Sequence, residues 1–84
     1  MAKLELYHME SCPFCRKVRG YIEKNGLKSQ ITYHDINQDP AAAERLEALN
    51  GDDQVPCLTV DGKPMLESEE IIEWLDENLK QKVG

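Results

Sequence analysis

The sequence lacks any long apolar run: nowhere in its 84 residues does an uninterrupted hydrophobic stretch approach the roughly 20 that a bilayer-spanning helix requires. Positive charge is also scarce, with ten Lys and Arg against sixteen Asp and Glu, a formal net charge of -6. That balance opposes attraction to phosphate backbones and anionic lipid, so neither nucleic acid nor a membrane is expected as a partner. Cysteine is sparse and odd in number, three in all, which does not suit an extracellular disulfide framework. Met1-Ala2-Lys3-Leu4-Glu5-Leu6 contains no apolar h-region or small-residue cleavage site, so a cytoplasmic location is the expectation. With no repeat, linker or low-complexity segment, residues 1–84 are expected to form one domain around one modest core, and a monomer is expected.

What the chain does contain is an orderly alternation of periodicities. Lys3 to His8 alternates around Leu4 and Leu6, as in a strand ending just before the cysteines. Met9, Glu10 and Ser11 then form a loop to Cys12. Pro13 suits the first position of a helix, Phe14, Val18, Tyr21 and Ile22 recur at helical spacing, and Asn25-Gly26 offers a left-handed stop. Gln30 to Ile36 reads as a second strand. Asp39 is placed to cap a second helix with Pro40 at its first position, an apolar stripe of Ala42, Leu46 and Leu49, and a break at Asn50-Gly51-Asp52-Asp53. Cys57-Leu58-Thr59-Val60 and Pro64-Met65-Leu66 flank Asp61-Gly62-Lys63, a hairpin signal. Ser68 is placed to cap a last helix with Glu69 and Glu70 in its first turn, core positions Ile71, Ile72, Leu75 and Leu79, and Lys80 and Lys82 toward its negative end. The order is βαβαββα: a parallel strand pair joined by a helical crossover, then a hairpin and a covering helix, giving one α/β mixed sheet with helices on its faces.

Chemistry concentrates at Cys12-Pro13-Phe14-Cys15. Residues three apart at a helix start bring their β-carbons to about 5–6 Å, near the geometry for a reversible disulfide. The side chain of Cys12 meets unsatisfied backbone N–H groups and the positive helix end, which favour thiolate over thiol. Cys12 is thus the expected nucleophile. Cys15, one turn in, is expected to be less exposed and less ionised, and to resolve a mixed disulfide on Cys12. Arg16, Lys17 and Arg19 add positive charge to the same turns.

Other readings of these residues are weaker. A zinc site built on Cys12 and Cys15 would need a second ligand pair, and only Cys57, His8 and His34 remain. A Cys12–His8 hydrolase pair lacks an orienting third group and an oxyanion site. Cys57 reads first as a small buried apolar residue, with a redox role close to Cys12 as the alternative, and Tyr21 and Trp74 read first as helix-packing residues. His34 carries no chemistry that the sequence supports.

Cys12-Pro13-Phe14-Cys15 after a first strand, followed by Val55-Pro56 before a hairpin, resembles the glutaredoxin branch of the thioredoxin fold across nearly the whole chain. Met65-Leu66-Glu67-Ser68 followed by Ile71 and Ile72 is most similar to two-domain bacterial glutaredoxins and the amino-terminal domain of glutathione transferases. The resemblance implies a four-stranded thioredoxin-like sheet, a cis Val55–Pro56 bond facing the active cysteine, and glutathione as co-substrate with no permanently bound cofactor. It also implies contacts to glutathione from Pro13, Phe14, Gln54, Val55, Pro56, Glu67 and Ser68. The backbone of Val55 would pair with the cysteinyl unit, and Glu67-Ser68 would grip the γ-glutamyl end.

The chain departs from the family pattern in carrying Phe14 in place of Tyr, Met9 in place of Lys or Arg, and Asp52-Asp53 where basic residues often help. His8, Arg16 or Gln54 are then the substitutes for holding the glycyl carboxylate, with His8 and Arg16 as electrostatic support. The implied activity is glutathione-dependent reduction of protein or low-molecular-weight disulfides through Cys12 and Cys15. An iron-sulfur or metal-binding module and a transferase-like glutathione-binding domain are the alternatives. Cluster-carrying members of the family usually have Gly and Ser where Pro13 and Cys15 stand.

Overall fold

A computed structural model describes residues 3–52 and 54–78; the expectations for Met1, Ala2, Asp53, Leu79, Lys80 and Lys82 lie outside the described residues. The elements run β1 (Leu4–His8), α1 (Pro13–Lys24), β2 (Thr32–Asp35), α2 (Pro40–Asn50), β3 (Cys57–Val60), β4 (Lys63–Met65) and α3 (Ser68–Asn78). One turn of 3-10 helix, Lys28–Gln30, leads into β2 and had no sequence signal. It delays the strand, which starts at Thr32 rather than Gln30. The sheet order is β2-β1-β3-β4. β1 runs parallel to β2 and antiparallel to β3, with Leu6 opposite Tyr33 on one side and Leu58 on the other.

Alternation along β1 and β3 sorts side chains to two cores. Leu4, Leu6 and Leu58 point to one face, where Val18 and Ile22 of α1 and Ile71 and Leu75 of α3 cover them. Tyr7 and Cys57 point to the other, against Ala42 and Leu46 of α2. Each such fully buried aliphatic side chain contributes roughly 1.5–3 kcal/mol from removal of its surface from water. Tyr21 and Trp74 pack at the margin of the first core, and the Tyr21 hydroxyl donates to Asp76 across 3.1 Å, joining α1 to α3.

Local punctuation acts where expected. Asp39 accepts from the N–H groups of Ala41 and Ala42, and Pro40 opens α2. Asp61 and Gly62, at φ 52° and 88°, form the β3–β4 turn. Asp61 is further tied to Lys3 by reciprocal bonds of 2.8 and 2.9 Å, which register the hairpin against the start of β1.

Three details differ from the sequence reading. Leu49 is 42% exposed; it lies in the last turn of α2, which ends one residue later at Asn50. Leu66 lies beyond β4, which closes at Met65. Ser68 is already helical: the carbonyl of Glu67 accepts the N–H of Ile71 at 2.9 Å, so Glu67 holds the capping position expected of Ser68.

Candidate active site

Cys12 stands between β1 and α1. The loop after His8 turns back at once, with the Cys12 N–H donating to the Met9 carbonyl at 3.2 Å. Cys12 keeps an extended backbone (φ −80°, ψ 120°) and caps α1, its Sγ accepting the N–H of Cys15 at 3.4 Å. Pro13, exposed at the first helical position, has no N–H to leave unsatisfied there. All three cysteines are free thiols, Cys12 partly exposed and Cys15 and Cys57 buried.

The environments of the two motif sulfurs push them apart. Partial burial pushes the Cys12 thiol up, but the N–H and S–H of Cys15, the N–H of Phe14 and the charge of Arg19 outweigh it and leave Cys12 below its ordinary value. Burial dominates at Cys15, whose thiol is pushed up to about 12 even though the Met9 N–H donates to its sulfur. A dithiol in which one sulfur ionises readily and the other holds its proton is suited to sequential attack and resolution.

The positive charge involved comes from Arg19, with the Arg16 side chain exposed one residue past Cys15. Arg19 is four residues beyond Cys15, one helical turn on, and its side chain is only 15% exposed. Its guanidinium reaches Glu10, with Nη1 3.5 Å from Oε2 and Nη2 3.5 Å from the carbonyl oxygen. Arg19 therefore ties the loop before Cys12 to α1. The expectation that His8 adds positive charge is corrected by its burial. His8 is 5% exposed, burial and then Arg19 lower its pKa, and the ring stays neutral near pH 7. It packs edge-on against Tyr33, with ring centroids 5.3 Å apart.

A surface cleft of about 180 Å³ is lined by Phe14, which stands between the two cysteines in sequence, and by Gln54, Val55, Pro56, Leu66, Glu67 and Ser68; neither cysteine is among its lining residues. The loop before β3 and the segment between β4 and α3 form it together. Val55–Pro56 is a cis peptide bond. Phe14, read from the sequence as part of an apolar helix stripe, is instead 62% exposed. Gln54 is positioned by its N–H, which donates to Asp52 Oδ1 at 3.0 Å. Leu66 is the lining residue that sequence reasoning missed; its place immediately before Glu67-Ser68 was the available signal.

Cys57, next to Pro56, is fully buried, and burial pushes its thiol up. His34, register partner of Tyr7, lies on the α2 face of the sheet with Tyr7 and Cys57, stacked on Tyr7 at 5.0 Å with Nε2 3.6 Å from Glu5. Among the described residues no group of three or more His, Cys, Asp or Glu side chains is placed to hold a metal ion, and no helix is long and apolar enough to cross a membrane.

A β2-β1-β3-β4 sheet, helices on both faces and a cysteine pair at the start of α1 define a glutaredoxin-like thioredoxin fold. The family model for the glutathione S-transferase N-terminal domain matches residues 6–82, and the chain belongs to that family. No curated protein sequence matches it. Among solved structures it is similar to a mutant of the thioredoxin-like protein BC3987, at 25% identity and TM-score 0.75 over 100% of both chains. It is also similar to glutathione transferase Omega 3C from Trametes versicolor, at 23% identity and TM-score 0.73, covering 89% of this chain and 31% of that one. A glutaredoxin from Archaeoglobus fulgidus aligns at 20% identity and TM-score 0.69, over 87% of this chain and 85% of that one. These last two likenesses show the fold. The chain thus spans under a third of the transferase's length and most of the glutaredoxin's.

Proposed function

We propose that the protein is a glutathione-dependent dithiol oxidoreductase acting in the cytoplasm as a monomer. The observation that carries this reading is the cysteine pair at the start of α1, with Cys12 partly exposed and its Sγ accepting the Cys15 N–H at 3.4 Å, Cys15 buried one turn on, and Phe14 between them lining a cleft.

The Cys12 thiolate attacks one sulfur of a substrate disulfide; the substrate S–S bond breaks and one thiolate leaves. Cys15 then gives up its proton and attacks Sγ of Cys12, forming the Cys12–Cys15 disulfide and releasing the second substrate thiol. Two glutathione molecules restore the dithiol, becoming glutathione disulfide. Phe14, Val55, Pro56, Glu67 and Ser68 line the cleft in which the glutathionyl or substrate cysteine would lie. Pro13 holds the turn between the two cysteines.

The test is reduction of a glutathione mixed disulfide by wild type, Cys12→Ser and Cys15→Ser. Cys12→Ser is expected to be inactive, and Cys15→Ser to keep turnover of glutathione mixed disulfides while losing that of intramolecular protein disulfides. Activity retained without Cys12 defeats the reading.

The family match favours a second reading, conjugation of glutathione to an electrophile. Cys15 counts against it, since a transferase has no step that uses a resolving thiol. Turnover of a chloronitrobenzene acceptor at a rate comparable to disulfide reduction would reverse the order.

A further inference from the structure

The charges around the cleft do not match an anionic substrate. Among the described lining residues Glu67 is the one charged side chain, and neither Lys nor Arg joins it. Asp52 adds a second carboxylate at the rim through its bond to the Gln54 N–H. The neighbouring cations are engaged elsewhere or lie outside the lining. Arg19 is held on Glu10 at 3.5 Å, Lys17 pairs with Glu69 at 3.7 Å, and Arg16, exposed on α1, is not among the described lining residues. Phe14, 62% exposed, offers an aromatic face at the same rim, which attracts cations as well as apolar groups. The whole chain, at -6, deepens the negative field.

Glutathione brings two carboxylates and one ammonium to such a cleft. A peptide with Lys or Arg beside its cysteine brings the complementary sign. Building on the oxidoreductase reading above, we propose that the cleft selects disulfides of cationic peptide or protein segments, with Lys or Arg within two residues of the attacked cysteine, over anionic disulfides. Cys12 attacks that cysteine's sulfur, the substrate S–S bond breaks, and the partner thiolate leaves. Cys15 then resolves the mixed disulfide, and glutathione supplies the two electrons as the reductant. Glutathione at millimolar concentration meets this second demand with a weak site, whereas a dilute protein substrate depends on charge complementarity for its encounter rate.

The test uses two disulfide peptides of identical sequence except for Lys or Glu flanking the cysteines. Each is reduced by the full chain at low and high salt, with wild type, Glu67→Gln, Glu67→Lys and, as a surface-charge control, Glu44→Gln on α2. At low salt the Lys peptide is expected to be favoured by roughly tenfold in kcat/KM, with the ratio shrinking at high salt. Glu67→Gln should lower the ratio, Glu67→Lys should abolish or invert it, and Glu44→Gln should leave it intact. Equal rates for the two peptides overturn the selectivity while leaving the oxidoreductase reading standing. A ratio unmoved by Glu67→Lys, or moved equally by Glu44→Gln, assigns the preference to overall charge and overturns the role of the cleft. No turnover of either peptide removes both the reading and the inference built on it.

Discussion

The backbone N–H of Cys15 reaches the sulfur of Cys12 across 3.4 Å, so the residue expected to resolve the mixed disulfide also helps ionise the residue that forms it. The bond exists because Cys12 is extended and Pro13 starts the helix, leaving the N–H of the third residue of α1 free to face the capping side chain. The first prediction follows directly. Iodoacetamide at pH 7 should modify Cys12 at least about tenfold faster than either Cys15 or Cys57, both buried and both raised in pKa. Peptide mapping after limited alkylation reads this out; label spread evenly over the three cysteines would contradict the assignment.

Arg19, which favours the Cys12 thiolate, is paired with Glu10, so loss of either partner should move Cys12 in opposite directions. The Glu10 carboxylate lies 3.5 Å from the Arg19 guanidinium, where opposite charge offsets part of its field. Arg19→Gln should slow Cys12 alkylation at pH 7 by roughly threefold, and Glu10→Gln should quicken it by a similar factor, the scale of a partly screened charge interaction of about 0.6 kcal/mol. A purely structural clamp would predict the same direction for both variants. Rate–pH profiles distinguish the two, since only the electrostatic role moves the midpoint in opposite directions.

These contrasts mark where the sequence was legible. Cys12-Pro13, Asp39-Pro40 and Asp61-Gly62 act through groups within a few residues of themselves, so spacing alone placed the α1 start, the α2 start and the hairpin. Strand alternation likewise sorted Leu6 and Tyr7 to opposite cores. What stayed hidden depended on distant chain. Whether Arg16 or Arg19 affects the sulfurs is decided by the loop carrying Glu10, and neutral His8 is set by its burial beneath the sheet end. Phe14 and Leu49 both fit helical apolar spacing, yet each lies in a terminal turn of its helix and is exposed. Leu66 enters the cleft because β4 stops one residue earlier than its apolar run.

The same distinction yields a stability contrast within α2. Leu46 is fully buried against Tyr7 and Cys57, whereas Leu49 is 42% exposed. Leu46→Ala should cost about 2–5 kcal/mol, and Leu49→Ala should stay within ~0.5 kcal/mol. Urea unfolding followed by Trp74 fluorescence measures both; comparable losses would mean that the last turn of α2 is packed more tightly than its exposure indicates.

Gly62 offers a test of backbone rather than packing. At φ 88° it occupies a region costly to any L side chain, and a β-carbon built there meets nothing within 4 Å. Gly62→Ala should therefore destabilise by about 1–2 kcal/mol through conformation alone. Gly20→Ala, in mid-helix with equally open surroundings, should instead stabilise by about 0.5–1 kcal/mol. Opposite signs from one chemical change would separate turn geometry from helix propensity.

Alkaline stability should report the buried thiols. Cys15 is raised to about 12 and Cys57 is raised as well, so above the ordinary thiol value of 9.0 the unfolded chain releases protons that the folded chain retains. Folding stability then falls with rising pH, by at most about 1.4 kcal/mol per pH unit for each such group. Cys12 has the opposite displacement: its contribution is fully present above 9.0 and is lost as pH falls through its lowered folded value, so it adds no slope in the alkaline window. Tyr33, raised to about 12, joins the loss only above the ordinary tyrosine value of 10.0. Between pH 9 and 10 the slope should therefore come chiefly from Cys15 and Cys57. Cys15→Ser should flatten it substantially, and Cys12→Ser should not. Urea midpoints measured across that range in reduced protein decide the matter; an unchanged slope in Cys15→Ser would mean that the Cys15 thiol ionises in the folded protein as readily as in the unfolded chain.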